Sequence, residues 1–115
     1  MNQKGDSLVI DEVVRNKVAT FIGFAKKAGK LSYGMDACQK SCVQGRAEII
    51  IIANDFSGNS RQKIEEIADR SKVATLSYET KQKLGELLGQ RDVGVLSVEE
   101  ANLANGIKKA VGLSY

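Results

Sequence analysis

The sequence contains no histidine, no proline and no tryptophan, and only two cysteines among its 115 residues. Without histidine, the chain lacks the usual general base at neutral pH and the most frequent partner of a nucleophile. Cys38 and Cys42 share one face of a segment with helical spacing, but no histidine is available to complete a zinc site with them. We therefore expect two core residues, no metal site, no cofactor and no enzymatic activity.

Long apolar runs are also absent from the sequence. No stretch of about 18 apolar residues occurs, and residues 1–10 show neither a charged-then-apolar signal nor a small-residue cleavage site. We therefore expect a cytoplasmic protein that contacts no membrane. No proline-rich, Gly/Ser-rich or low-complexity segment marks a linker. The sequence predicts a flexible N-terminal tail at residues 1–10 and one domain at residues 11–115.

Apolar periodicity predicts helices and strands that alternate along the chain. Helical spacing runs from Val14 to Gly29, and a second helix follows Gly34. Four consecutive isoleucines predict a central strand covered on both faces. The predicted strands are residues 30–33, 47–53, 73–77 and 93–98. This order predicts an α/β fold, a three-layer α/β/α sandwich with a central, mixed, four-stranded sheet.

Hydroxyl residues predict where the later helices begin. Ser57 or Ser60 can cap the third helix, and Thr80 can cap the fourth. Ser97 and Glu100 have the spacing of a capping box, which predicts the start of the last helix.

The charge is unevenly distributed along the chain. Seventeen Lys and Arg against fourteen Asp and Glu give a net charge of +3, which is mild for a nucleic-acid binder. Between residues 26 and 46, however, five residues are basic and only Asp36 is acidic. Gly34 opens a helix in this segment, where first-turn N–H groups and the helix dipole favour an anion. Lys40 can reach this end. An ordinary capped helix has the same spacing, so spacing alone leaves both interpretations open.

Three segments of the chain resemble one known family. GFAKKAGKLSYGMDACQK, AEIIIIANDFS and VATLSYETKQKLGELLGQRDVGVLSV follow the order of the kink-turn RNA-binding ribosomal protein superfamily, L-seven-Ae and L-thirty-e type. The chain is most similar to its bacterial YlxQ-like branch, over residues 13–98. The resemblance implies an α/β/α sandwich with an RNA site at one end. In the family this site comprises the helix after Gly34, the loop after the isoleucine-rich strand and the loop after LGELLG.

The helix motif of the family is approximately Gly-x-Asn-Glu-x-x-Lys. Gly34 and Lys40 match it, whereas Asp36 replaces the asparagine and Ala37 replaces the glutamate. An ionised carboxylate accepts hydrogen bonds but cannot donate one to guanine O6, and alanine offers no acceptor to guanine N–H groups. The resemblance therefore implies RNA binding through backbone and shape, with less preference for a standard kink-turn.

The resemblance places further candidate residues in the two loops. Phe56 can stack on a splayed base or plug the space against the third helix, and we favour the plug. Val93 can contact an extruded base or simply begin the strand. Arg46 is an additional candidate for phosphate contact. The RNA-binding candidates are Lys30, Gly34, Met35, Asp36, Ala37, Lys40, Asn54, Asp55, Phe56, Arg61, Arg91, Asp92 and Val93.

These features favour a non-catalytic binder of structured RNA, either ribosomal RNA or a related kinked RNA, associated with the ribosome or with translation. We expect a monomer whose partners are this RNA and the ribosome or translation proteins. The alternative is a protein-interaction module of ribosome assembly or translation with reduced RNA readout, which Asp36 and Ala37 favour. Salt dependence separates the two functions, because neutralising about four phosphates gives a log–log slope of about −3.

Overall fold

Helices and strands alternate in the computed structural model, which describes residues 11–113. The predicted tail at residues 1–10 lies outside the described residues. None of the helices in the described part of the chain is both long enough and apolar enough to cross a membrane. The elements are α1 (Glu12–Lys27), β1 (Leu31–Tyr33), α2 (Met35–Val43), β2 (Ile49–Ile52), α3 (Gly58–Arg70), β3 (Ala74–Ser77), α4 (Lys81–Leu88), β4 (Val95–Val98) and α5 (Ala101–Val111).

The strands form one mixed sheet in the order β1-β4-β2-β3. Strand β4 is antiparallel to β1 and β2, whereas β2 and β3 are parallel. The C-terminal ends of β1, β2 and β3 therefore lie at the same end of the sheet as the N-terminal end of β4. We name this end of the strands the Gly34 end, and it comprises Gly34, Ala53, Tyr78 and Gly94. The opposite end of the strands, the Lys30 end, comprises Lys30, Glu48, Val73 and Glu99.

Strand β2 separates two hydrophobic clusters. Ile49 and Ile51 pack in a cluster with α1, α4 and α5, whereas Ile50 and Ile52 pack in a cluster with α2 and α3. All four side chains are at most 1% exposed, and burying each contributes roughly 1.5–3 kcal/mol. The predicted three-layer α/β/α sandwich with a mixed four-stranded sheet is confirmed.

The strands begin later than the sequence predicted, because the backbone before each of them bonds to a helix. The N–H group of Ala47 donates to the carbonyl of Ser41 in α2, at 3.1 Å. The N–H group of Val93 donates to the carbonyl of Lys81 in α4, at 3.0 Å. Both residues are buried, but neither belongs to a strand.

Two of the predicted helix starts are occupied by the expected residues. Thr80 is the N-cap of α4, and its hydroxyl accepts a hydrogen bond from the N–H of Lys83 at 3.1 Å. Ser57, rather than Ser60, is the N-cap residue of α3, although its side chain makes no capping hydrogen bond.

The predicted capping box is wrong. Ser97 lies within β4, and strand alternation turns it toward α2, where its hydroxyl lies 2.8 Å from that of the buried Ser41. Glu100 is itself the N-cap of α5, and its carboxylate accepts a hydrogen bond from the N–H of Leu103 at 2.8 Å. The capping function therefore belongs to a residue that is three positions later than predicted.

Candidate nucleic-acid interface

Three separate segments meet at the Gly34 end of the sheet. The N–H group of Gly34 donates to the carbonyl of Val95 at 2.9 Å, which fixes the start of α2 against β4. The N–H group of Ala53 donates to the carbonyl of Gly94 at 2.8 Å, which fixes the loop after β2 against the residue that precedes β4. The start of α2 and the loops at residues 53–57 and 89–94 therefore form one continuous surface.

The N-terminus of α2 is partly exposed and has no side-chain cap. Gly34 is the N-cap residue with a φ of 91°, a conformation that favours glycine, and it has no side chain to satisfy the first-turn N–H groups. Met35 and Ala37 are half-buried beside it, whereas Asp36 is exposed. Lys40 is also exposed and shares the face of Asp36, one turn later. This terminus can accept an anion.

Two buried thiols hold α2 against the sheet. Cys38 is fully buried and Cys42 is 3% exposed, as expected for core residues, and both are free. Burial raises the pKa of Cys38 to about 12, and Cys42 and Glu99 act in the same direction. Burial also raises the pKa of Cys42. Both groups stay neutral and behave as small apolar side chains.

Arg61 shapes the loop at residues 53–57. Its Nε donates to the carbonyl of Phe56 at 2.6 Å, and its Nη2 donates to the carbonyl of Ala53 at 2.8 Å. Its Nη1 donates to the carboxylate of Glu65 at 3.1 Å and to the hydroxyl of Ser77 at 3.2 Å. The guanidinium group of Arg61, which was predicted to contact RNA, therefore donates hydrogen bonds to carbonyl groups of the protein's own backbone.

Phe56 and Asp55 anchor the same loop. Phe56 is half-buried and contacts both hydrophobic clusters, which agrees with the predicted plug. A Cβ added to Gly94 would lie 2.3 Å from the Phe56 ring, so glycine at that position makes room for it. Asp55 accepts a hydrogen bond from the N–H of Lys81 at 2.8 Å, and Asn54 beside it is exposed.

The loop at residues 89–94 folds back along α4. The N–H group of Gln90 donates to the carbonyl of Gly85 at 2.8 Å. A Cβ on Gly85 would lie 1.3 Å from the carbonyl oxygen of Arg91, so only glycine permits this approach. Arg91 and Asp92 are exposed. Val93 is 4% exposed and packs in the larger cluster, which leaves little of its surface for a ligand.

The sequence reasoning did not identify Lys81. Its N–H group bonds to Asp55 and its carbonyl accepts from Val93, so its backbone joins the two loops. The predicted cap at Thr80 indicated where α4 begins, but nothing in the sequence indicated these tertiary bonds.

Two of the predicted cations lie at the opposite end of the sheet. The carbonyl of Lys30 accepts a hydrogen bond from the N–H of Glu99 at 2.8 Å. Arg46 forms a salt bridge with the carboxylate of Glu99 at 2.9 Å. Strand β1 separates Lys30 from Gly34 by about 13 Å, at about 3.3 Å per residue. The structure therefore does not bring Lys30 or Arg46 to the Gly34 end.

Tyr33 is a second residue that the sequence reasoning missed. It is the last residue of β1, directly before Gly34, and it is 43% exposed. Its ring offers a flat apolar surface beside the open helix N-terminus. The detectable signal in the sequence was an aromatic residue adjacent to the glycine that opens a helix.

Named relatives share the sequence pattern. The RNA-binding protein YlxQ of Bacillus subtilis is 27% identical over 84 residues, which are 73% of this chain and 84% of the relative. The RNA-binding protein YlxQ of Enterococcus faecium is 26% identical over 81 residues, which are 70% of this chain and 79% of the relative.

Solved structures share the fold. A protein of unknown function from Bacillus halodurans superposes with a TM-score of 0.79 at 19% identity, covering 84% of this chain and 97% of that chain. A 15.5kD RNA binding protein from Giardia lamblia superposes with a TM-score of 0.72 at 17% identity, covering 95% of each chain. The sequence profile of one family matches residues 16–108, nearly the whole described chain. The chain therefore belongs to the ribosomal protein L7Ae/L30e/S12e/Gadd45 family, within an L7Ae-type branch similar to YlxQ.

Proposed function

We propose that residues 11–115 act as one non-catalytic RNA-binding domain, which binds structured RNA at the Gly34 end. The observation that carries the proposal is the convergence of three segments at the start of β4: the N-terminus of α2, which is bonded to Val95, and two loops that are bonded to each other through Ala53 and Gly94. The names of the YlxQ relatives support RNA as the ligand. We further propose that the RNA is ribosomal or a related kinked RNA, and that the protein works in the cytoplasm with the ribosome or in translation.

Each part of the surface has a distinct task in this proposal. The first-turn N–H groups of α2 bind a phosphate or a base edge, and Lys40 adds a positive charge on the same helix. Arg91 is the exposed cation of the loop at residues 89–94. Tyr33 provides an aromatic ring on which an unpaired base can stack. Arg61 positions the loop at residues 53–57 without contacting the RNA.

Asp36 and Ala37 set the preference among RNAs. Asp36 is exposed in the first turn of α2, at the positive end of the helix dipole. An ionised carboxylate repels guanine O6, whereas it accepts from amino groups such as cytosine N4. We therefore expect weaker binding to a standard kink-turn than to the RNA that the protein recognises in the cell.

A second candidate function is binding of a basic segment of a ribosomal or translation protein at the same surface. Three exposed carboxylates at the Gly34 end favour it, namely Asp36, Asp55 and Asp92. Such a complex would need no RNA. The two functions are therefore distinguished by an RNA titration.

The test is a titration of the full-length protein against labelled ribosomal RNA fragments and a standard kink-turn, at about 50 mM and about 200 mM salt. RNA binding predicts a log–log salt slope of about −3. Lys40→Ala should weaken binding several-fold and reduce the slope by about 1. The matched control is Lys72→Ala, which removes an exposed lysine directly before Val73 at the Lys30 end.

Two results would contradict the proposed site. One is that no RNA binds below about 10 μM at the lower salt, an affinity that a nonspecific basic protein can already reach. The other is that Lys40→Ala and Lys72→Ala weaken binding equally, which would indicate attraction by net charge alone. Binding of a basic peptide in the absence of RNA would then favour the second function.

A further inference from the structure

Helices α1 and α5 leave an open groove of about 800 Å³ between them on the outer face of the molecule. Val13, Phe21 and Phe24 line it from α1, and Gly106, Lys109 and Ala110 line it from α5. The groove belongs to the helical layer and contains none of the loop residues proposed to contact RNA. The groove therefore lies outside the proposed RNA surface, and we consider a different ligand for it.

The walls of the groove are apolar and exposed. Val13 is 64% exposed and Phe24 is 51% exposed, so both present apolar surface that the fold does not use. Phe21 forms the floor, and a Cβ added to Gly106 would lie 2.6 Å from its Cζ. Glycine weakens a helix relative to alanine. At this position it allows Phe21 to lie against α5 and keeps the groove concave.

The charge in the groove has one sign. Lys17 and Lys109 lie along it, and no carboxylate is among the residues that line it. Within residues 11–113 neither lysine enters a salt bridge. An occupant that carries acidic groups beside an apolar stripe would pair with both lysines.

We propose that the α1–α5 groove binds an acidic amphipathic helix of a partner protein. Val13 and Phe24 are eleven residues apart, which spans about 16 Å, or three helical turns. A partner helix of that length presents apolar residues at i, i+4, i+7 and i+11, the pattern of helix-in-groove recognition. RNA fits the groove less well, because its charged backbone would cover apolar walls. A membrane surface also fits less well, because the groove is concave.

The test uses the full-length protein and two designed 18-residue peptides. Both carry leucine at positions i, i+4, i+7 and i+11, and their flanking positions are glutamate in one peptide and lysine in the other. The acidic peptide should bind with a dissociation constant on the order of 10 μM, as expected of a small transient interface. The basic peptide should bind at least about 10-fold more weakly. Amide chemical-shift changes should be confined to α1 and α5.

Substitutions separate the contributions of charge and apolar surface. Phe24→Ala should weaken the acidic peptide about 5-fold or more, because it removes exposed apolar surface from the groove. The double substitution Lys17→Glu, Lys109→Glu should weaken it at least about 10-fold and improve the basic peptide. The matched control is Val43→Ala, which removes an exposed apolar side chain, 76% accessible, from α2 in the opposite layer.

Several outcomes would overturn the proposal. Equal affinity for the two peptides would exclude charge recognition, and no binding at about 1 mM would exclude a docking helix altogether. Displacement of the acidic peptide by RNA would assign the groove to the nucleic acid. If the protein self-associates and Phe24→Ser abolishes the self-association, the groove would be assigned to a second copy of the chain. If the acidic peptide binds only to the variant with Leu8→Ser and Ile10→Ser, the groove would be assigned to the chain's own N-terminal segment. None of these outcomes depends on whether Lys40→Ala changes RNA affinity.

Discussion

At the scale of single residues, Tyr33 differs from the other aromatic residues within 11–113 in where it presents its surface. Phe56 and Tyr78 are packed in the hydrophobic clusters, and Phe24 is exposed in the α1–α5 groove. Tyr33 alone among them combines an exposed ring with a position directly before the open N-terminus of α2. An aromatic ring stacks on any base, so it contributes affinity without requiring a particular sequence.

Replacing Tyr33 with alanine should weaken RNA binding. Base stacking on an aromatic side chain contributes about 1–3 kcal/mol, which corresponds to roughly 5-fold to 150-fold in affinity. Tyr33→Phe keeps the ring and should bind nearly as well as the wild type. Fluorescence anisotropy with a labelled ribosomal RNA fragment measures both. The control is Phe24→Ala, an exposed aromatic residue outside the RNA surface, and equal losses in the two alanine variants would refute the stacking role.

Asp36 and Ala37 allow the kink-turn preference to be restored. Asp36→Asn with Ala37→Glu supplies the donor and the acceptor of the family motif, and a bidentate base contact contributes roughly 1–3 kcal/mol. We expect the affinity for a standard kink-turn to rise at least about 10-fold relative to another structured RNA. Ala37→Glu adds a carboxylate to the first turn of α2 as Asp36→Asn removes one, so helix stability should change by less than about 1 kcal/mol.

The readout is the ratio of two dissociation constants, because a change in affinity that is common to both RNAs cancels in it. Asp36→Asn removes one negative charge and Ala37→Glu adds one, so the net charge of the double variant is unchanged. Asp69→Asn removes an exposed carboxylate from α3 near the Lys30 end and is the control for the charge effect of Asp36→Asn alone. A ratio that stays unchanged in the double variant, or changes equally in Asp69→Asn, would mean that α2 does not read the base pairs of the kink.

At the scale of elements, α4 supports the loop at residues 89–94 through one close backbone contact. Gly85→Ala places a methyl group where the carbonyl oxygen of Arg91 now lies, 1.3 Å away, so the loop must move. Overpacking of this kind typically costs about 1–3 kcal/mol in the free energy of unfolding. We expect a lower urea midpoint together with weaker RNA binding, because Arg91 is displaced along with its loop.

Gly23→Ala is the matched control for that substitution. Gly23 lies inside α1, and an added Cβ would meet no atom within 4 Å. Alanine should therefore stabilise α1 by roughly 0.5–1 kcal/mol and leave RNA affinity unchanged. If Gly85→Ala lowers the urea midpoint but binds RNA as tightly as the wild type, the loop at residues 89–94 is not part of the RNA surface.

Periodicity was sufficient to predict the order of the elements. The consecutive isoleucines of β2 could only form a strand buried on both faces, and apolar spacing placed the helices on either side of it. Tertiary hydrogen bonds were not predictable in this way. The hydroxyl of Ser97 bonds to that of Ser41 in α2, so a spacing typical of a capping box occurred inside a strand.

The candidate site was predicted in part. Gly34 and the two loops meet as the resemblance implied. Lys30 was predicted as a cation that contacts the RNA backbone, although the predicted strand at residues 30–33 already placed Lys30 and Gly34 at opposite ends of the sheet. The role of Arg61 was beyond sequence reasoning, because its partners Ala53 and Phe56 accept through backbone carbonyls that any residue provides.

At the scale of the whole molecule, two buried side chains that can lose a proton at alkaline pH donate hydrogen bonds between the layers of the sandwich. The hydroxyl of Tyr78 donates to the carbonyl of Arg15 at 2.7 Å, which connects the end of β3 to α1. The thiol of Cys38 donates to the carbonyl of Ser32 at 3.8 Å, which connects α2 to β1. Both groups must stay protonated to donate, so the packing of both helical layers depends on pH in the alkaline range.

The stability of the protein should fall as the pH rises from about 9 to about 12. Burial raises the pKa of Cys38 from 9.0 to about 12. Burial, reinforced by Glu79 and opposed by Arg15, raises the pKa of Tyr78 from 10.0 to about 12. Between the lower and the upper values, the unfolded chain releases these protons and the folded chain retains them. Unfolding is therefore increasingly favoured, whereas below pH 9 their contribution to stability is fully present.

Urea midpoints measured at intervals between pH 8 and pH 12 test this dependence. Tyr78→Phe should lose the hydrogen bond to Arg15, and so be less stable at pH 8, yet decline less steeply than the wild type above pH 10. Cys38→Ala should decline less steeply from pH 9 upward, because its alanine has no proton to release. Deprotonation of surface lysines affects all three proteins equally and cancels in the comparison. Parallel curves for the wild type and both variants would show that neither buried proton controls the alkaline stability, and that the loss comes from the surface charges instead.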